Sequence, residues 1–100
     1  MLEELDMAKL RSYEFSEVPD LKISEYLEDI PYSRDMDYQD ILRYAMKSEE
    51  KSRNFYLRSA ERCEDPDLKK LFQMLAKEEA KHKLTFEKIY EDEVLESNKY

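Results

Sequence analysis

Glu79 and His82 stand three residues apart in the stretch EEAKH, and His82 is the only histidine of the 100-residue chain. On a helix that spacing puts both side chains on one face. A carboxylate oxygen beside an imidazole nitrogen is a donor pair suited to iron, manganese or zinc. A second carboxylate, Glu49, lies thirty residues earlier among the small residues Ala45, Ser48 and Ser52. Whether these groups bind a metal or are ordinary surface charge depends on the elements that carry them.

The chain contains no Gly and only three Pro, so long helices suit it better than sheet, whose tight turns usually need Gly. One hundred residues suffice for a single domain. Residues 1–36 read as an irregular N-terminal arm. Met1–Ser12 is expected to be partly helical, and Pro19 and Pro31 then interrupt. Between them Ser24 is placed to cap a short turn, SEYLEDI. Tyr13, Phe15, Val18, Leu21, Ile23, Tyr26, Leu27 and Ile30 are the arm's packing residues. Residues 37–100 read as a helical hairpin. Asp37 is the N-cap of a helix running to about Cys63. Asp65, followed by Pro66 at the first helical position, caps a second that runs toward Ser97. The connection is very short, so the two helices are antiparallel neighbours.

Each helix carries a seam with spacing 4, 3, 4, 3, 4, 3, 4. In the second it is Leu68, Phe72, Leu75, Glu79, His82, Phe86, Ile89, Glu93; in the first it is Tyr38, Leu42, Ala45, Glu49, Ser52, Tyr56, Ser59, Cys63. Glu79 and His82 interrupt the middle of one seam and Glu49 the middle of the other. Glu49 stands roughly 15 residues before the turn, and Glu79 and His82 roughly 14 and 17 after it, so all three are expected at one level. A phase error of one residue would bury Glu50 instead. Two buried carboxylates and one imidazole do not satisfy one another, and a cation resolves the conflict. Glu78, and the remaining charges of KHKLTFEK, among them Lys83 and Glu87, read as solvated helix face. Tyr38 and Tyr44 read as packing, and Cys63, the single cysteine, as a small apolar filler.

Di-metal carboxylate bundles take one Glu from each of two helices and Glu-x-x-His from each of the other two. One chain offers half of that set, so the expected fold is all-α: a long antiparallel helical hairpin that dimerisation completes as a ferritin-like four-helix bundle. The stretches AMKSEEKSRNFYLRSAE and DPDLKKLFQMLAKEEAKHKLTFEKIY resemble the rubrerythrin branch of that family over about residues 38–92. The resemblance implies iron, two per dimer, with manganese or zinc as alternatives. It implies Glu49, Glu79 and His82 as metal ligands, and Tyr56, matching the family tyrosine near the metal pair, as the candidate catalytic residue acting from beside the ligands. The spacing from Glu to Glu-x-x-His is also similar to that of encapsulated ferritins, whose site forms between subunits. Family members usually hold two hairpins in one chain. Many add a four-cysteine rubredoxin centre, for which one cysteine cannot suffice.

The net charge of -8 excludes the basic patch that a nucleic-acid partner needs. No stretch approaches the ~20 apolar residues that cross a bilayer, and no signal pattern opens the chain, so a cytoplasmic protein without a membrane partner is expected. The expected function is metal binding with reaction toward oxygen or peroxide (ferroxidase, iron handling or peroxide detoxification), as a homodimer or higher homo-oligomer served by an unknown electron donor. The alternatives are a non-enzymatic dimerisation module and a structural metal-binding bundle.

Overall fold

The computed structural model describes residues 7–95, with side chains from Leu10 onward. Three α-helices follow in order: α1 (Met7–Ser12), α2 (Tyr38–Arg62) and α3 (Pro66–Tyr90). A 3-10 turn, Ile23–Tyr26, lies in the arm, and a π-helical turn, Glu91–Leu95, extends α3. No strand occurs among the described residues. None of the helices is long and apolar enough to cross a membrane.

The hairpin starts where its caps are. The Asp37 carboxylate accepts from the Asp40 amide at 2.8 Å, and the Asp65 carboxylate accepts from the amides of Asp67 and Leu68 at 2.9 and 3.1 Å. Pro66 takes the first helical position, where its missing N–H is no loss. Each long helix has 25 residues, about 38 Å at 1.5 Å per residue. Because Asp65 satisfies two amides that the helix cannot, Asp65→Ala is expected to cost about 1 kcal/mol in urea unfolding, with Asp65→Asn recovering most of it.

The core is divided. At the open end of the hairpin Leu42, Met46, Tyr90 and Val94 pack together with the arm's Ile23 and Leu27. At the turn end Leu71 and Met74 pack with Leu10 and Tyr13. Between these clusters the interior is polar.

The arm is held on the hairpin by hydrogen bonds as much as by apolar contact. The Tyr13 hydroxyl donates to Glu78 at 3.1 Å, and Lys83 Nζ donates to Asp20 at 2.6 Å. The Ser24 amide donates to Glu87 at 3.2 Å, and its hydroxyl donates to Glu50. Lys47 donates to the Ser24 carbonyl at 3.1 Å. Asp20 also accepts from the Lys22 amide at 2.8 Å, which fixes Lys22 at φ 58, a left-handed conformation a lysine adopts only when so held.

Several sequence expectations are corrected here. Ser24 does not cap its turn; it lies inside the turn, fully buried, because its amide and hydroxyl reach carboxylates on α3 and α2. Lys83 and Glu87 are not solvated, at 3% and 0% side-chain exposure, because the arm lies over them. Glu78 is half-buried beneath Tyr13. Tyr26 is exposed rather than packed, and so is Tyr38, whose hydroxyl instead binds Glu93. Cys63 sits in the turn with Sγ 3.6 Å from the Asp65 carbonyl. The expectation of an N-terminal helix from Met1 lies, up to residue 6, outside the described residues, as does the end of the second helix beyond residue 95.

Candidate metal centre

Two stripes with the same spacing run along α3. The expected one, Leu68 to Glu93, is only half-buried. The other, Ala76, Ala80, Lys83, Glu87, Tyr90, Val94, is the one the arm covers, and all of its six residues except Ala80 are buried. Two helices share only one contact line, so one flank must stay open unless something else covers it. The flank carrying Glu79 and His82 is the open one. His82 is 60% exposed in the single chain.

On that open flank Glu49, Glu79 and His82 come together. One donor atom from each lies within 4.8 Å of the others, and His82 Nδ1 stands 3.5 Å from Glu49 Oε2. Antiparallel packing through the three-residue turn brings them level, as the residue count requires. Glu49 Oε2 is buried and has no hydrogen-bond partner. A cavity of about 310 Å³ opens beside them, lined by Glu49, His82, Thr85 and Phe86. Donors of one ion at ordinary bond lengths of about 2.1 Å stand at most about 4.2 Å apart, and the 3.5 Å between His82 Nδ1 and Glu49 Oε2 already falls inside that span. The donor types and the orphaned oxygen fit a transition-metal ion.

Glu50, the alternative to Glu49, faces the arm and binds Ser24 and Lys47. Tyr56 stands seven residues, two turns or about 10 Å, along α2 from Glu49. Its ring stacks on Phe72 at 6.4 Å and meets Phe55 edge-on at 5.6 Å. Phe72 is likewise seven residues from Glu79, so the ring pair forms the next layer toward the turn.

A family model for rubrerythrin matches residues 40–100. The chain belongs to the rubrerythrin family. The match covers the hairpin from the first turn of α2 onward, and rubrerythrin-family proteins are ferritin-like and typically bind iron. No curated protein and no solved structure matches the chain.

In this rubrerythrin-family hairpin Glu79 is pushed up to about 7, first by the proton it shares with the Glu49 carboxylate, then by burial and by the charge of Glu49, with His82 opposing. A carboxyl raised in the folded state holds a proton there that the unfolded chain releases near 4.5. That contribution to stability is complete below the unfolded value and is lost as pH rises through about 7. The metal-free protein should therefore melt at lower temperature at pH 8 than at pH 5.5 from this source, and Glu79→Gln should flatten the profile in a thermal-melt series.

Sequence reasoning missed the second polar set, Asp20, Ser24, Glu50, Lys83 and Glu87. A signal existed: Lys83 and Glu87 interrupt an apolar 4-3-4 stripe just as Glu79 and His82 interrupt theirs.

Proposed function

We propose that two copies of this chain form a four-helix bundle enclosing a di-iron site, built from Glu49, Glu79 and His82 of each copy, that reacts with dioxygen or peroxide. The observation that carries the reading is Glu49 Oε2, buried and accepting no hydrogen bond, beside Glu79 and His82 on a flank that the described residues leave uncovered. A second copy is the natural cover. The outer face of α2 carries Ile41, Ala45, Ser48, Ser52 and Phe55 at spacing 4, 3, 4, 3, and Ile41 and Phe55 are both more than half exposed. A two-fold axis beside Ser48 pairs Ile41 with Phe55 of the second copy and Ala45 with its Ser52. The small residues at the centre allow close approach where the two Glu49 side chains meet.

Glu49 and Glu79 supply anionic oxygen donors and His82 a neutral nitrogen. Iron held there supplies the one-electron chemistry by which dioxygen or peroxide is reduced. Glu79 must lose its proton to ligate, so loading releases protons and tightens as pH rises toward 7. Phe86, with the Tyr56–Phe72 layer, walls the site against water; Tyr56 acts from that wall as a positioning residue. The biological outcome is ferroxidation for iron handling or removal of peroxide with an external electron donor.

The test is metal content, mass in solution and oxygen uptake by the ferrous protein. About one iron per chain, a dimer or multiple of it, and uptake abolished in His82→Ala support the proposal. Metal without oxygen uptake identifies a structural metal bundle, and a metal-free dimer identifies an association module; either result ends the di-iron reading.

A further inference from the structure

A second cavity, of about 400 Å³, opens where the arm crosses the hairpin. It shares no lining residue with the opening beside Glu49 and His82. Phe15 of the arm, Leu57 of α2, and Ala76 and Ala80 of α3 give it apolar walls. Its charged lining residues are Arg53 and Lys77, and among the described residues lining it none is acidic. In a chain of net charge -8 this is a locally cationic hollow.

Arg53 is half-buried. Its charge reaches Asp20, and that carboxylate already accepts from Lys83 at 2.6 Å and from the Lys22 amide at 2.8 Å. A partly desolvated guanidinium is a strong donor for an incoming carboxylate, and its planar fork suits that group's two oxygens. Binding sites for small molecules have this make-up: mostly apolar walls of a few hundred Å³ with one or two placed polar groups.

We propose that this cleft binds an amphipathic monocarboxylate, a medium-chain fatty acid of roughly ten carbons, with its head on Arg53 and Lys77 and its tail between Phe15, Leu57 and the two alanines. The occupant is set by the charge: a neutral tail would gain nothing from the two cations, and a polyanion would meet the acidic remainder of the surface. The proposal is independent of the metal centre, so it stands or falls separately from the di-iron reading.

The experiment is a titration of the full chain with decanoate, followed by amide and side-chain NMR shifts and by calorimetry, with decan-1-ol as the uncharged control. Saturable binding of one decanoate per chain is expected, with shifts at Arg53, Lys77 and Ala80. Decan-1-ol should bind at least about tenfold more weakly, and Arg53→Gln should weaken decanoate by a similar factor. Phe15→Ser, at an exposed arm position, should weaken both ligands alike. The absence of saturation up to millimolar decanoate overturns the proposal. So does equal affinity for the alcohol, or unchanged decanoate affinity in both Arg53→Gln and Lys77→Gln. Shifts of the same residues that follow protein concentration without decanoate assign the cleft to a second copy and also overturn it.

Discussion

Replacing Glu49 by Gln is expected to weaken metal binding by more than about a hundredfold while raising the stability of the metal-free protein. The first effect follows from the loss of an anionic donor. Changes to groups that merely orient ligands already cost 10–100-fold, and removing a ligand costs more. The second follows from the site without metal. Glu49 and Glu79 sit side by side: the proton shared between them, then burial and the charge of Glu49, raise the Glu79 carboxyl to about 7. A neutral amide at position 49 removes that charge and can donate to Glu79, so the gain should be largest at pH 8, above the value at which Glu79 loses its proton. The two measurements are metal affinity by competitive chelation and melting temperature of the metal-free form. A purely structural Glu49 predicts the opposite sign for the second, because Gln would then only lose interactions. Opposite responses in the two forms are the signature of a site whose residues conflict until a cation joins them.

Lys83→Ala is expected to destabilise the chain by about 3–5 kcal/mol. Lys83 is almost fully buried between Asp20, at 2.6 Å, and Glu87, at 3.6 Å. Glu87 is completely buried, and its Oε1 already lacks a partner. Removing the ammonium leaves a buried carboxylate with one amide donor, from Ser24. For a domain of this size the loss corresponds to a fall in melting temperature of roughly 15 °C or more. The rescue is informative: Lys83→Met combined with Glu87→Gln removes both charges at nearly constant volume, keeps an acceptor for the Ser24 amide and should recover part of the loss. If Lys83→Ala alone melts within a few degrees of the native protein, the arm is not held as described.

The same set has an acid limit. Burial, the largest single influence on Asp20, pushes its carboxyl up, but Lys83 and the Lys22 amide together hold it below the ordinary 3.8. A carboxyl lowered in the folded state stabilises above the unfolded value, and that contribution is lost as pH falls through the folded one. The arm should therefore release in strong acid, below the range in which Glu79 titrates.

The amino-acid sequence by itself determined the two long helices, the caps that start them and the common level of Glu49, Glu79 and His82. Asp37, Asp65 and Pro66 act on amides within their own first turns, so their effect is complete without the rest of the molecule. The meeting of Glu49 with Glu79 and His82 needs only two straight helices and a short turn, both fixed by local residue order. Periodicity could not decide which flank of the hairpin is closed. Two stripes on α3 have the same spacing, and each has a charged or polar pair at its centre: Glu79 and His82 in one, Lys83 and Glu87 in the other. Helical spacing fixes how residues stand relative to one another, and says nothing of what packs over them. The arm settles it, and the arm has no period to read. Its position depends on individual bonds between residues more than sixty apart, from Ser24 to Glu87 and from Asp20 to Lys83. Those bonds close one flank over a buried ion pair, and they leave the flank with Glu49, Glu79 and His82 uncovered.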